Sequence, residues 1–437
     1  FFPGVSVAWN VNEESFMKGI KQIQNLKLRA SYGELGNEGI GDYRYSPYVI
    51  PNVDYVWGPE TSDNLGLGAI QRGYANSDIK WETSISRNIG MDLSLFKGKF
   101  TFTADLYKND KKDMLLNLLL PASTGTNVND WSGYNSIVAN IGNMVNKGIE
   151  LAATYKGTTK FGMNWSVTGT FTSNNNEITS MGGVGDLALN DSKLGSWTGN
   201  DDVLTFMKVG YPAGSFFLVP TAGVIKNDEQ LAKAKTYMPT AKLGDMMYVD
   251  KFTIDSDGDG ILDKGDGKID ENDREYMGSG QPIFESGLIF NANYKGFDLS
   301  AQLFYSYGNK VYNGAKKFAY STNRHKDMYN MWTPYNITSD IPTPSAENTR
   351  SRSAIYLEDG TFLRIRNLSL GYTLPKTLIK GIMDNARIYV TAQNPFTFTK
   401  YTGYDPEVGG NGVSTRGVDK GNYPITRKFL MGMQIDF

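Results

Sequence analysis

The sequence predicts an all-β fold, an antiparallel transmembrane β-barrel with about 11 of its strands in this chain. Three observations predict it. Apolar and polar residues alternate with period two over many short segments. The connections between those segments alternate between short and long. The 437 residues include 26 Tyr, 22 Phe, 7 Trp and 48 Gly, a composition suited to β-structure with many turns.

Taken in order, the expected strands cover 2–11, 23–33, 80–95, 99–110, 147–157, 161–173, 283–295, 297–307, 361–374, 386–396 and 428–437. The clearest puts Phe161, Met163, Trp165, Val167, Gly169 and Phe171 on one face and Gly162, Asn164, Ser166, Thr168 and Thr170 on the other. Its hairpin partner carries Ile149, Leu151, Ala153 and Tyr155, and a Lys156–Lys160 turn joins the two. Lys97-Gly98 and Lys295-Gly296 mark two further hairpins. The short connections are 12–22, 96–98, 158–160, 296 and 375–385; the long ones are 34–79, 111–146, 174–282, 308–360 and 397–427. Soluble domains seldom carry so many long loops at one end. Outer-membrane barrels pair short periplasmic turns with long outer loops, and roughly 9–11 residues of tilted strand cross a bilayer. Thr205–Pro220 is the one stretch where a further strand could sit, and it would break the alternation of short and long connections. No run of 18 apolar residues marks a transmembrane helix, but barrel strands turn only every second residue to lipid and escape such a search.

The first and last strands both run toward the short-turn end. An odd set of strands ending this way, opening on patterned sequence at Phe1-Phe2-Pro3-Gly4, implies earlier strands. Open edges are untenable in lipid, because unpaired amides and carbonyls find no water there. The expectation is that 1–437 is the C-terminal half of a barrel, with Val5–Ala8 and Met431–Ile435 pairing to strands outside it.

Composition excludes several functions. The net charge of -2, with no basic stripe, gives nucleic acid nothing to bind. With 0 Cys there is no disulfide framework or thiolate site. His325 is the single His, so a triad or His-based metal site would have to be built around it; its stretch Asn323–Asp327 reads as a polar exposed loop, and no catalytic residue is expected. Gly182-Gly183-Val184-Gly185 lacks the Lys and hydroxyl of a phosphate loop.

The sharpest chemical signal is acidic. Asp255, Asp257, Asp259, Asp263 and Asp266 occupy positions 1, 3, 5, 9 and 12 of an EF-hand-like loop, with Gly260 at position 6. Calcium takes six to eight oxygens in flexible geometry, which this spacing offers; Mg²⁺ demands a stricter octahedron. A second frame sharing Asp266 brings Asp270 and Asp273 but lacks carboxylates at its positions 1 and 3. The 255–273 segment therefore reads as a structural Ca²⁺ site pinning the 174–282 loop. Without an ion its carboxylates would repel one another. Substrate contacts are sought among loop aromatics, whose flat amphipathic rings suit sugar or peptide: Trp57, Trp131, Trp197 and Trp332, with Tyr43, Tyr45, Tyr48, Tyr55, Tyr134 and Tyr335 beside them. Arg364 and Arg366 share one parity and are expected to face the lumen.

Seven ordered blocks resemble the C-terminal half of the SusC/RagA-type TonB-dependent outer-membrane transporters. They are Phe2–Trp9; Leu26–Asn37; Trp81-Glu82 with Asn88–Asp92; Asn140–Gly142 with Asn146–Glu150; Asp266–Asp270 with Asp273-Arg274; Leu363–Tyr372; and Ala392–Pro395 with Tyr404–Glu407. The resemblance covers essentially the whole chain. It implies a plugged barrel of about 22 strands, a SusD-like surface lipoprotein as lid, and energy from a TonB–ExbB–ExbD complex. It implies active import of oligosaccharide or oligopeptide across the outer membrane of a Bacteroidetes-like bacterium. The plug and TonB box have no counterpart in this sequence. Two other classes share the pattern: a passive structural or adhesive barrel, and a soluble carbohydrate-active β-protein. A plug and TonB box separate importer from passive barrel; solubility without detergent marks the third.

Overall fold

Residues that alternate in polarity make strands with two unlike faces, and the sheet they form must give those faces unlike surroundings. In the computed structural model eleven strands do so in one continuous sheet. They are β1 (Gly4–Asn10), β2 (Ile23–Asn37), β3 (Glu82–Leu95), β4 (Phe100–Leu119), β5 (Ser136–Thr158) and β6 (Asn164–Ser180). They continue with β7 (Phe284–Tyr294), β8 (Phe297–Tyr307), β9 (Phe362–Thr373), β10 (Asn385–Thr399) and β11 (Lys428–Asp436). Spatial order equals chain order, and every pairing is antiparallel. The structure describes all residues except 40–44, 46–48, 52, 53, 57, 59–64, 72, 73, 120–135, 184, 195–201, 346, 347, 349, 351, 380, 382 and 409–411.

The register displays the two faces directly. Reading across from β2 to β11, Ile23, Leu95, Phe100, Tyr155, Val167, Phe290, Ala301, Leu368, Ala392 and Phe429 stand in one cross-strand row. The adjacent row on the other face holds Asn25, Ser94, Thr101, Thr154, Thr168, Ile289, Gln302, Asn367, Gln393 and Lys428. The first row is apolar throughout. The other is polar but for a single isoleucine. The expected Val167 face is therefore the apolar face of the whole wall.

Several strands outrun their expected ends. β4 and β5 extend to Leu119 and from Ser136, against the expected 99–110 and 147–157. Alternation stops at the charged run Lys111-Lys112-Asp113, but backbone pairing needs no apolar face. Asp113 takes φ 58 where the register shifts, and the ladder resumes at Met114↔Gly142. β10 likewise passes Asn394, at φ 50, and continues to Thr399. At the short-turn end Lys295 and Gly296 take φ 48 and 86, the two positive values that a tight β7–β8 hairpin needs. Thr205–Met207 and Ser215–Leu218 are strands, but of a separate four-stranded sheet with Leu187–Ala188 and Glu275–Ser279. The wall count stays at eleven.

That small sheet belongs to a cap. The connections β6–β7, β8–β9 and β10–β11, expected as loops, fold together over the long-loop end of the wall. One buried cluster joins Val219, Ile225, Met238, Met246, Tyr248 and Trp332 around α1 (Asp228–Lys235). A second joins Leu204, Phe216, Leu218, Tyr312, Tyr356 and Val418, with Tyr320 of α2 (Gly314–Ser321). Backbone bonds cross between connections: Val219 N–H to Arg352 C=O at 2.8 Å, and Tyr312 N–H to Gly417 C=O at 2.7 Å. A third cluster, including Met114, Ile178, Met207 and Ala213, seats the cap on the tops of β4 and β6.

Candidate functional site: the lumenal wall beneath the cap

Side chains on the polar face of β2–β6 line a trough of about 780 Å³, among them Ser86, Asn88, Tyr107, Asn146, Glu150 and Asn174. Alternation aims every second residue of each strand into it. A chain of amides orders the trough. Tyr107 donates its hydroxyl to Asn174 Oδ1 at 3.0 Å, and Asn176 donates to Asn146 Oδ1 at 2.8 Å. Asn176 also accepts the Ala213 N–H at 2.7 Å, which fastens the cap to the wall. Beside it a closer chamber of about 260 Å³ lies between wall and cap, lined by Asn174, Ala213, Ser279, Gln281 and Arg416. Asn174 borders both spaces. Hydroxyls, amides, the acidic residues Glu34 and Glu150, the Lys111 ammonium and, in the closer chamber, the Arg416 guanidinium suit a polar oligomer rich in hydrogen-bonding groups.

Lower on the same face, ion pairs skip a strand. Arg29 of β2 reaches over Gly90 of β3 to Asp105 of β4 with two bonds of 3.0 Å, while its Nε donates to Asp92 at 2.9 Å. A Cβ at position 90 would lie 2.6 Å from the Asp105 carboxylate and 2.7 Å from the Arg29 guanidinium. Arg387 of β10 spans Gly371 of β9 to Asp298 of β8 in the same way, its Nε 2.9 Å from Oδ1. These clamps tie three strands at once.

The two candidate arginines, Arg364 and Arg366, both join ion pairs with Glu407. Arg364 is 1% exposed. It donates to Thr397 Oγ1 at 3.0 Å, Asp405 at 2.6 Å and Glu407 at 2.7 Å. Arg366 bonds the other Glu407 oxygen at 3.0 Å and lies 3.9 Å over the Phe304 ring. Together they bolt the 400–427 connection to β9; Arg364, buried in that lock, is removed from the expected substrate contacts, while Arg366 keeps a side chain that is 36% exposed and stays among them. Trp332 is buried in the cap core and is likewise removed from the contact candidates. Trp57, Trp131 and Trp197, with Tyr43, Tyr48 and Tyr134, lie outside the described residues. Tyr45 and Tyr335 are exposed. His325 caps the helical turn Lys326–Asn330 and packs 5.2 Å from Tyr320.

In the acidic segment, Asp255, Asp257 and Asp259 converge, with one oxygen of each within 4.8 Å of the others. Positive φ at Gly258 (81) and Gly260 (87) wraps the backbone around Asp255, which accepts their amides at 2.7 and 2.9 Å. Those two bonds hold its carboxyl below the usual range. This cluster is a group of carboxylates able to hold a divalent cation. The remaining Asp residues are directed elsewhere. Asp263 accepts the Ser256 hydroxyl at 2.5 Å and its amide at 2.9 Å, which also lowers its pKa. Asp266 and Asp270 close turns with Lys268 and Asn272. Asp273 is buried, and its two oxygens accept the amides of Lys251 and Asp270 at 2.8 and 2.7 Å. Its neighbour Arg274 is buried over the Phe206 ring at 5.1 Å, with its pKa lowered by that burial.

Ser86, Tyr107 and Asn174 lie outside every resembling block, and Asn88, Asn146 and Glu150 lie within two of them without being marked there as lining a site. Their signal is the polar parity of each strand, which names Tyr107, Asn146 and Asn174 only once the register is known. The Arg364 lock had a sharper signal: two cations and two acids, each pair two residues apart.

Comparison with known proteins matches residues 1–250 to the family described as TonB dependent receptor-like, beta-barrel. TonB-dependent receptor P3 of Formosa agariphila is 30% identical over 446 residues, covering 100% of this chain and 42% of that protein. TonB-dependent receptor SusC of Bacteroides thetaiotaomicron is 29% identical over 449 residues, covering 100% of this chain and 40% of that protein. Among solved structures, the RagAB peptide importer in its 'open-open' state superposes with a TM-score of 0.77 at 25% identity, covering 100% of this chain and 42% of that one. The chain thus spans less than half the length of the relatives it matches.

Proposed function

The chain belongs to the TonB-dependent receptor β-barrel family, of SusC/RagA type, and from that premise we propose that it forms wall and cap of an active importer of oligomeric nutrients, glycan or peptide. The observation that carries the proposal is the two-faced wall. An unbroken apolar row faces away from a polar row, and the polar face leads into the trough beneath the cap. The setting is the outer membrane of a Gram-negative bacterium. β1 and β11 stand at opposite ends of the sheet and do not pair with each other. Further strands complete both edges, because lipid offers an open edge no hydrogen bonds. A plug, a SusD-like lipoprotein over the cap and TonB-coupled energy complete the importer. Ca²⁺ held by Asp255, Asp257 and Asp259, with Asp263 and Asp266 drawn in on binding, would stiffen the segment beneath such a lid. The test is uptake of fluorescent oligosaccharides and oligopeptides by cells carrying the full-length gene. Import of one class, abolished by deletion of TonB, is expected. Uptake of neither class, or uptake indifferent to TonB, would reject the reading.

A further inference from the structure

The outward face of the wall changes character toward the cap, and it does so in register. Val7, Ala30, Ile89, Leu106 and Ile149 form one apolar row across β1–β5. The next outward row is Val5, Tyr32, Arg87, Lys108 and Lys147. Three adjacent strands thus present three cations in line at the upper margin of the apolar surface. An open trough of about 490 Å³ runs below them along β1–β4, its wall including Val7, Ala30, Ile89 and Leu106 and its upper end Arg87 and Lys108. The small Ala30 leaves the depression between larger neighbours.

Two carboxylates lie in the outward row above the cations: Glu34, which accepts the Tyr32 hydroxyl, and Asp110, which pairs with Arg87, and with Lys108 at 3.6 Å. Asp110 does not cancel its two cations outwardly. Its side chain is 14% exposed, against 46% for Arg87 and 52% for Lys108, so the two cations stand further out than the carboxylate that pairs with them. Lys147 forms no ion pair with a described residue and is exposed. An apolar trough ending in outward cations at a membrane's edge is complementary to a lipid, with an acyl chain in the trough and an anionic headgroup on the cations.

We infer that the outer face of β2–β5 is a binding site for a phosphate-bearing lipid of the surrounding leaflet, its chain lying over Ala30 and its phosphate on Arg87, Lys108 and Lys147. The inference rests on the reading of this face as lipid-facing.

The test uses the full-length transporter in detergent, with phosphatidylglycerol and phosphatidylcholine of matched chains added and bound lipids counted by native mass spectrometry. Phosphatidylglycerol should be retained over phosphatidylcholine. The triple change R87Q/K108Q/K147Q should cut its retention at least about tenfold, since each cation beside an anionic surface contributes on the order of a fivefold change. R87K/K147R should keep retention, which separates charge from folding. A30F should reduce retention of both lipids, and K295Q, at the opposite strand end, of neither. Equal retention of the two lipids, or a triple variant that retains as much as the wild type, overturns the site. Spin labels at Phe102 and Phe290 distinguish the two failures. Water contact there removes the lipid-facing wall and the site with it. Lipid contact with an unaffected triple variant removes the site alone.

Discussion

Wall and cap are built from one chain, yet they treat apolar residues in opposite ways. In the wall, large side chains stay outward: Ile89 is 65% exposed, Leu106 56% and Phe429 77%. In the cap Leu204, Phe216, Leu218, Val219 and Ile225 are all at 0%. The cap is an ordinary water-soluble core, closed by hydrophobic burial. The wall has no such core. Its cohesion comes from backbone ladders, and its outward residues are matched to lipid rather than to one another. Polar bonding is divided the same way. The clamps Arg29–Asp105 and Arg387–Asp298 tie strands across the lumen face, whereas Arg364 with Asp405 and Glu407 ties the cap to the wall.

The largest expected effects fall on the cap. Phe216→Ala should cost about 3–5 kcal/mol, because a fully buried ring leaves a cavity. Arg364→Ala should cost a similar amount, about 3–5 kcal/mol, by leaving Asp405 buried without its cation. Both losses should appear as faster hydrogen exchange in 204–279 and 400–427, with the heat-resistant gel mobility of the folded barrel unchanged. A barrel that melts with its cap would erase the division between the two regions. The wall has its own test at smaller magnitude. Phe290→Arg should cost about 2–4 kcal/mol at mid-membrane, while Thr168→Arg, one row away on the lumen face, should cost far less. Equal costs, measured by urea unfolding in lipid vesicles, would mean that the faces are misassigned. Gly90→Ala comes next, at about 1–3 kcal/mol, because the added methyl pushes apart Arg29 and Asp105.

This division also explains how far the sequence could be read. Wall strands declare themselves locally, since period two along Phe100–Leu106 or Phe297–Tyr305 is visible without knowing any partner. Strand number, order and faces follow from that. The extensions of β4 and β5 were hidden because Lys111-Lys112-Asp113 interrupts the pattern but not the ladder. The cap was hidden more deeply. Its strands are two to five residues long, and its core draws Phe216, Tyr312 and Val418 from three separate connections. No window of sequence contains that contact. Arg364 shows the same limit: its parity is readable, but the partner that buries it lies 41 residues away. The acidic segment is intermediate. Its spacing announces carboxylates, but which of them converge depends on positive φ at Gly258 and Gly260.

That segment yields the smallest expected effect and the finest test of the division. Asp255, Asp257 and Asp259 are clustered at the surface of the cap, away from both buried clusters. A cation there would screen three like charges and add ligand bonds to a turn already shaped by the amides of Gly258 and Gly260. Its influence should therefore stop where the loop becomes core, at Asp273 and Arg274, whose bonds to Lys251 and to the rings beneath need no ion. Chelation should speed hydrogen exchange within 255–266, leave 270–279 nearly unchanged and leave the wall untouched. Asp257→Ala combined with Asp259→Ala should reproduce that pattern and abolish the calcium signal in elemental analysis of the full-length protein. Calcium retained after the double change would remove the assignment to these carboxylates. Exchange that spreads into 204–225 on chelation would show instead that the ion supports the cap core, and the cap would then owe its fold to more than its buried side chains.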